Sequence, residues 1–554
     1  MISKIQAGFR EGFSTIDHIF ALQVIINLYK KSEKPLYIAF VDYQKAFDTI
    51  WRDGLWFKLV KEGINGKFLN IVKAMYEKSR SCVLINGERS NFFSSFAGVR
   101  QGEILSPLLF AFYINDLESF LKCKEITSLQ HLSATSKNAA ETMGLDDSYV
   151  MDLLALYYAD DTILMAESPK GLQNALDQLF NYCEKWHLKV NEDKTKIICF
   201  SNKRKVNVSF YYNKKQLEIV DTFVYLGVTL TRNGIDNKSV EARVAPTNRA
   251  IFSTLSMCRA NDLPIDLTLD MFHKIIAPCT LYGAEIFGFK SCAKLETLQL
   301  KYLKYSLKLK NGTSTLMVYG ETGFLPFEFY VKVKMISFWI SLIAGRRDKI
   351  SFKLYVMCLT LHNDGTLTFE WLDYIKSIIK ECGLYYVFIN QLGYDFKWLK
   401  NFFLPKIKST LKDEILQKWQ NDIDASNKCF YYKHFQPRPM MQKYLLTLPQ
   451  NAWIPILKFR TSNHRLPIEI YSWKVAFVDR YRRLCTMCNT NEVGDEYHYL
   501  IVCPIFHEAR IQFIPKYFRV RPSVFKFLEL INSNDKKTLV KLSKFIKIIF
   551  SVFK

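Results

Sequence analysis

The sequence predicts an α+β protein built around an acidic metal centre, and three observations carry that reading. In "LLALYYADDTILMAES" two β-prone apolar runs, residues 153–158 and 162–165, flank a turn that holds the adjacent carboxylates Asp160 and Asp161. In "LYIAFVDYQKAFDTIW" an apolar run over residues 36–41 delivers Asp42 at its end. Beyond the first 235 residues, apolar positions recur at helical spacing with lysines between them, as in "LETLQLKYLKYSLKLK".

The paired carboxylates repel each other unless a cation neutralises them. Magnesium suits oxygen ligands and is usually held by one or two carboxylates together with substrate phosphates. A Tyr-x-Asp-Asp string alone is weak evidence, because an acidic surface turn looks the same. Two-metal phosphoryl transfer needs a further carboxylate facing the pair, so that ions roughly 3.5–4 Å apart are bridged. Asp42 supplies it if the two strands lie side by side. Between them, "AGVRQGEILSPLLFAFYINDL" reads as a glycine-bearing loop entering an apolar helix, with Ser106 as its N-cap and Pro107 at the first helical position.

Near the C-terminus, Cys485, Cys488, His498 and Cys503 give C-x2-C-x9-H-x4-C. Thiolates and an imidazole at knuckle spacing suit tetrahedral zinc, and four protein ligands imply a structural site. Ordinary reduced thiols are the alternative, and His507 competes with Cys503 for the fourth place. The ending, "KKTLVKLSKFIKIIFSVFK", is lysine-rich and free of acids, which predicts a basic amphipathic helix lying on nucleic acid or on the helices of residues 236–330.

Composition points the same way. The chain has 554 residues, enough for two or three domains, and its 49% hydrophobic content excludes general disorder. With 76 Lys plus Arg against 53 Asp plus Glu, the net charge of +23 favours a polyanionic partner bound largely through counterion release. Aromatic residues make up 15%, some of them available for stacking on unpaired bases. The opening "MISKIQAGFREGF" lacks a signal-peptide core, "MISFWISLIAG" is too short to span a bilayer, and the thirteen cysteines are scattered. These features predict an intracellular protein of the nucleus or cytoplasm, neither secreted nor bound to membrane, with reduced thiols.

The ordered series "QAGFREGFSTIDHIF", "FVDYQKAFD", "GVRQGEILSPLLF", "YADD", "WHLKVNEDKTKIICF" and "FVYLGVTL" resembles the reverse transcriptases of non-long-terminal-repeat, LINE-like retrotransposons. The resemblance implies a right-hand polymerase, with fingers, a palm sheet bearing Asp42, Asp160 and Asp161, and a helical thumb. It implies RNA-directed DNA polymerase activity with two catalytic magnesium ions, an RNA template, a DNA primer and deoxynucleoside triphosphates.

Further roles carry over residue by residue. Phe47 matches the aromatic position that excludes a ribose 2′-hydroxyl, with simple core packing as the alternative. Arg10 matches the fingers arginine on the triphosphate, where an ordinary solvated arginine is the other reading. Gln101 and Gly102 match the loop against the template and nascent base pair, with a plain helix-entry turn as the alternative, and Tyr158 belongs to the same substrate-binding set. Lys194 matches the general acid for pyrophosphate, or else is one member of a solvated charge run. Tyr225, Leu226 and Gly227 fall in the hairpin resembling the primer grip. Asp48 reads as the N-cap of the following helix rather than a metal ligand. The cysteine-histidine cluster, with its approach "RTSNHRLPIEIYSW", is similar to a module found downstream of the polymerase in such elements, which points away from intron maturases.

The expected division is incomplete fingers and palm over residues 1–235, a helical thumb over 236–330, a connector of unknown role over 331–450, a zinc module over 451–515 and a basic tail over 516–554. The chain starts almost within the fingers motif, as a fragment of a longer reading frame would. Glu103 and Ile104 stand where many relatives have Cys-Pro. Residues 122–150 read as a solvated inserted loop. The alternative function is a catalytically lapsed nucleic-acid-binding protein derived from a retroelement. The intact aspartate triad argues against lapse, and the shortened fingers argue for it.

Overall fold

A capping box starts the first helix. The Ser14 hydroxyl accepts the N–H of Asp17, and the Asp17 carboxylate accepts the N–H of Ser14 at 2.9 Å, so two of the N–H groups that a helix start leaves unpaired are satisfied. This helix, α1, spans Thr15–Lys31. The computed structural model describes residues 2–201, 208–290, 293–470 and 478–553. They form two compact units: Met1–Ala242 with Gly283–Lys290 and Lys334–Phe402, and Arg243–Tyr282 with Ser291–Val333 and Phe403–Lys554.

In the first unit, α1 leads to β1 (Leu36–Val41), α2 (Arg52–Lys61) and α3 (Gly66–Glu77). Four two-residue strands follow, β2 (Arg80–Ser81), β3 (Leu84–Ile85), β4 (Glu88–Arg89) and β5 (Phe93–Ser94), pairing β2 with β5 and β3 with β4. Next come α4 (Leu105–Ile114), α5 (Leu117–Cys123), α6 (Gln130–Thr142), β6 (Ala155–Tyr158), β7 (Asp161–Ala166) and α7 (Pro169–Lys185). The last strands are β8 (Lys196–Phe200), β9 (Phe210–Tyr212), β10 (Lys215–Ile219), β11 (Thr222–Tyr225) and β12 (Val228–Thr231).

The main sheet has six strands in the order β6-β7-β1-β8-β10-β9, antiparallel except where β8 meets β10. All six residues of β1 are buried. A continuous apolar run rather than an alternating one is what a central strand covered on both faces requires. The cover comes from α1, which packs on β6 and β8, and from α7, which packs on β1, β7 and β9. Side chains such as Ile38 and Leu164, fully buried, each contribute about 1.5–3 kcal/mol by removal from water. Helix α7 shows how sequence sets its own docking: Ser168 caps it, Pro169 occupies its first turn, and Leu172, Ala175, Leu176 and Leu179 repeat at helical spacing on the buried face.

Three local readings of the sequence are corrected here. Residues 122–150 are not a loop: α6 lies among them, burying Leu132, Ser136, Ala139 and Ala140. Apart from Leu132, its buried face is made of small or polar residues, so composition concealed it. Helix α4 begins at Leu105 with Ile104 as its N-cap, so Ser106 and Pro107 are its second and third residues rather than cap and first residue, and the Ser106 hydroxyl donates instead to the Arg100 carbonyl. Asp48 is not the cap of α2, whose N-cap is Trp51, and its carboxylate instead accepts from Gln101 Nε2 at 3.1 Å.

Residues 334–402 belong to the first unit. Helix Ile350–Asn363 packs on α1 and α6, where Asp17 accepts from Lys349 Nζ at 3.1 Å and from Ser351 Oγ at 2.8 Å. In the second unit, helices Val244–Ala260 and Ala293–Ser306 show the expected spacing, with Leu295, Leu298, Tyr302 and Leu303 buried. Its interior holds the ion pair Arg460–Glu321 at 2.9 Å, with Tyr444 donating to the same carboxylate at 2.7 Å. Removing one partner of such a pair leaves an uncompensated buried charge and costs about 3–5 kcal/mol. The C-terminal helix Lys536–Val552 buries Leu539, Leu542, Phe545, Ile546 and Ile549, packing on helix Gln450–Arg460. Its apolar face is thus protein core, with lysines on the opposite side.

Candidate active site

The hairpin β6–β7 turns through Ala159 and Asp160, with Tyr158 paired to Asp161. On the other side of β7, Val41 of β1 pairs with Thr162. Continuing this antiparallel register by one residue sets Asp42 opposite Asp161. The three carboxylates predicted from sequence therefore meet at one end of the sheet, although Asp42 and the pair are far apart in the chain.

Asp42 is held by its backbone. Its N–H donates to Thr195 Oγ1 at 3.2 Å and its carbonyl accepts from Asn191 N at 2.7 Å. Both partners lie in the "WHLKVNEDKTKIICF" motif, on either side of Lys194. Lys194 Nζ stands 3.9 Å from Asp42 Oδ2, at the long end of an ion pair and in water, where such pairs are worth little. An open cleft is lined by Asp42, Asp161, Lys194 and, from β11, Phe223 and Tyr225.

Desolvation, followed by Asp160 and Asp42, pushes the Asp161 carboxyl up to about 6, and desolvation with Asp42 raises Asp160 as well. A donor set of three mutually repelling carboxylates fits divalent cations. The consequence for stability has a definite sign. A carboxyl whose folded value lies above its unfolded one favours the fold at low pH, and that contribution is lost as pH rises through about 6. In EDTA, the melting temperature of the first unit is expected to fall between pH 4.5 and 7.5, less so in Asp161→Asn and less so with added Mg2+. Scanning calorimetry across that range checks it, and an Asp161→Asn profile parallel to wild type would remove the assignment.

Phe47 is half-buried and stacks on Phe110, with ring centroids 5.0 Å apart. Gly102 has φ +90° with open space where a side chain would project, which only glycine takes without strain. Gln101 meets Asp48, as described above. Tyr158 lies edge-on to His18 at 6.0 Å. The β11–β12 turn is formed by Leu226 and Gly227, with φ of 44° and 77°, the pair of left-handed residues that a type I′ hairpin needs. Buried Tyr225 packs against Phe40 at 5.7 Å. Arg10 Nη1 donates to the carbonyls of Ser3 at 2.7 Å and Gln6 at 2.9 Å, and its guanidinium lies over Phe13.

One residue inside a quoted motif escaped notice. Gln6, 2% exposed, reaches the metal-bearing turn. Its Oε1 accepts from Ala159 N at 3.0 Å and Gly8 N at 2.8 Å, and its Nε2 donates to Ala159 O at 3.4 Å.

In the second unit, ligand atoms of Cys485, Cys488, His498 and Cys503 all lie within 4.8 Å of one another. Backbone pairing of Leu484 with Val493 closes the knuckle, and Met487 N donates to Cys485 Sγ at 3.4 Å. His498 Nε2 faces Cys488 Sγ at 3.3 Å while its Nδ1 meets Glu492 Oε2 at 2.8 Å. Against the upward effect of burial, hydrogen bonds from Thr490, Cys485 and His498 bring the Cys488 thiol down to about 6, whereas burial and the two other thiols push Cys503 up to about 12. Three thiols and an imidazole converging in this way are a donor set that fits tetrahedral zinc. His507 begins the helix His507–Phe513 and is not in the cluster. Of the quoted approach "RTSNHRLPIEIYSW", the last three residues lie outside the described residues.

Residues 1–230 match the family described as reverse transcriptase (RNA-dependent DNA polymerase). The chain is 26% identical over 319 residues to the RNA-directed DNA polymerase from mobile element jockey of Drosophila melanogaster, covering 55% of this chain and 32% of that protein. It is 27% identical over 302 residues to the probable RNA-directed DNA polymerase from transposon BS of the same fly, covering 53% and 31%. The chain thus spans about a third of the length of these curated relatives. A telomerase from Candida tropicalis, solved in complex with a TWJ fragment of telomeric RNA, is similar over 65% of this chain and 51% of its own at 15% identity. Its TM-score of 0.29 is too low to bear on the fold. The sheet, its three carboxylates and these sequence matches agree: residues 1–230 match the reverse transcriptase family, and about half of the chain is similar to RNA-directed DNA polymerases of mobile elements.

Proposed function

We propose that this chain is an RNA-directed DNA polymerase that extends a DNA primer on an RNA template with deoxynucleoside triphosphates, as in target-primed retrotransposition. The observation that carries the reading is the meeting of Asp42, Asp160 and Asp161 at the end of neighbouring strands, beside an open cleft. Asp42, Asp160 and Asp161 would hold two magnesium ions, which would supply activation of the primer 3′-hydroxyl and neutralisation of the leaving pyrophosphate.

The protein's residues do the rest. Lys194, beside Asp42, hands a proton to pyrophosphate. Arg10 turns its remaining guanidinium nitrogens to the triphosphate. Gln101 and Gly102 lie against the template and nascent pair, Tyr158 borders the nucleotide, and the Tyr225–Gly227 turn holds the primer backbone. Helices after residue 243 act as the thumb, and residues 334–402 buttress the palm. The net charge of +23 draws the duplex. Cys485, Cys488, His498 and Cys503 hold a structural zinc. Among the described residues no helix is long and apolar enough to cross a membrane, and the protein works where its template is found, in the nucleus or cytoplasm.

The test is extension of a labelled DNA primer annealed to RNA, with magnesium and each deoxynucleotide. Absence of any template-dependent product rejects the reading. A finer expectation concerns Phe47, half-buried on Phe110 and five residues beyond Asp42 in sequence. Phe47→Ala opens space for a 2′-hydroxyl and is expected to reduce the preference for deoxy- over ribonucleotides by about 10²-fold, on the order of 2.7 kcal/mol. Unaltered discrimination, measured as the ratio of kcat/KM values, returns Phe47 to the core.

A further inference from the structure

We infer that Gln6 is a positioning residue for catalysis: its side-chain amide clasps the Ala159 peptide and so fixes where the Asp160 carboxylate stands. The inference rests on the polymerase reading above and adds a residue to it.

The need for a clasp comes from the turn. Ala159 has φ +56°, a left-handed conformation that costs an L-residue free energy and persists only when its surroundings over-determine it. The residue is 6% exposed, so its N–H and C=O require partners inside the protein. Gln6 serves both, with the bonds at 3.0 Å and 3.4 Å. A primary amide is suited to this, since it accepts at one atom and donates at the other.

The clasp is itself braced. Ala7 N donates to Tyr157 O at 3.0 Å, Tyr157 N donates to Ile5 O at 2.9 Å, and Gly8 N donates to Gln6 Oε1 at 2.8 Å. The segment therefore lies as a short parallel strand beside β6, through the bridge between Gln6 and Tyr157. Gly8 allows this closeness: a Cβ there would sit 2.3 Å from Ala159 N. Asp160 is the next residue after the clasped peptide, so any rotation of Ala159 swings its carboxylate away from Asp42 and Asp161.

The test uses the full chain and Gln6→Met, which keeps the length of the side chain but neither bond. Single-turnover extension is expected to slow about 10²-fold, as for a carboxylate displaced by about 1 Å, with nucleotide KM and primer–template Kd within about threefold of wild type. Ala159→Gly removes the conformational cost at the turn, so Gln6→Met/Ala159→Gly is expected to recover at least about tenfold of the lost rate. A role in folding alone would show no such recovery. A nucleotide-free readout runs in parallel: Mn2+ affinity by electron paramagnetic resonance is expected to weaken about tenfold in Gln6→Met and to return in the double variant. If Gln6→Met does not fold, Gln6→Glu is read by the same criteria, because it keeps the accepted bonds and loses the donated one. A rate within threefold of wild type, a loss carried by KM, or no recovery with Ala159→Gly overturns the proposal. Should the wild-type chain extend no primer, the functional reading fails first, and unchanged Mn2+ affinity in the variant then rejects the clasp on its own.

Discussion

Asp160→Asn is expected to lower RNA-templated primer extension by at least about 10³-fold, while the affinity for primer–template stays within about threefold. The asymmetry follows from where the two free energies arise. Asparagine keeps the size of the side chain and one acceptor oxygen but removes the negative charge, and a two-metal site depends on that charge to hold ions against the repulsion between them. A 10³-fold loss corresponds to about 4 kcal/mol of transition-state stabilisation. Binding of the duplex depends instead on the surplus of Lys and Arg behind the +23 net charge, spread widely and titrated by salt. Single-turnover extension and a salt-dependent gel-shift, run on the same preparation, separate the two. Extension by Asp160→Asn at the wild-type rate would remove the carboxylate pair from the reaction. The neighbouring acid gives an internal comparison: Asp48 accepts from Gln101 and is not among the residues lining the cleft, so Asp48→Asn leaves the metal dependence of extension unchanged.

How much of this was legible in the sequence depends on whether a feature is written in local pattern or in long-range pairing. Strand β1 and the β6–β7 hairpin were readable because each is an apolar run ending in an acid, and the physics that buries the run leaves the acid at the end of the sheet. The capping box at Ser14 and the proline at the start of α7 are equally local. Helix α6 was hidden because Ser136, Ala139 and Ala140 line much of its buried face, where the sequence shows little more than a polar, alanine-bearing stretch. Residues 334–402 carry no chemical motif, and their place in the first unit rests on contacts such as Asp17 with Lys349 and Ser351. Gln6 was hidden for a related reason. Its partners are the N–H and C=O of Ala159, and backbone groups leave no mark in sequence. The thiol and imidazole cluster was legible as a set of ligands, whereas Glu492, which meets His498 Nδ1, stood out only once the fold was known.

That cluster yields the second large effect. If Cys485, Cys488, His498 and Cys503 enclose a metal, the purified, reduced chain carries about one zinc per molecule. Ligands within nineteen residues of sequence, two of them on a knuckle, bury little apolar surface by themselves, so metal binding supplies much of the local folding free energy. Chelation, or Cys488→Ser, is expected to raise amide hydrogen exchange over residues 478–515 by about 10²-fold or more. Extension of a pre-annealed primer persists, because the carboxylate site belongs to the other compact unit. Cys503→Ser loses the metal and His507→Ala keeps it, in line with which of the two lies among the other ligands. Glu492→Gln weakens zinc about 10-fold or more in a competition titration, since a carboxylate on Nδ1 fixes the tautomer that presents Nε2 and increases its basicity. Elemental analysis that finds no zinc in freshly prepared, reduced protein rejects the site, and the four residues are then ordinary thiols and a buried imidazole.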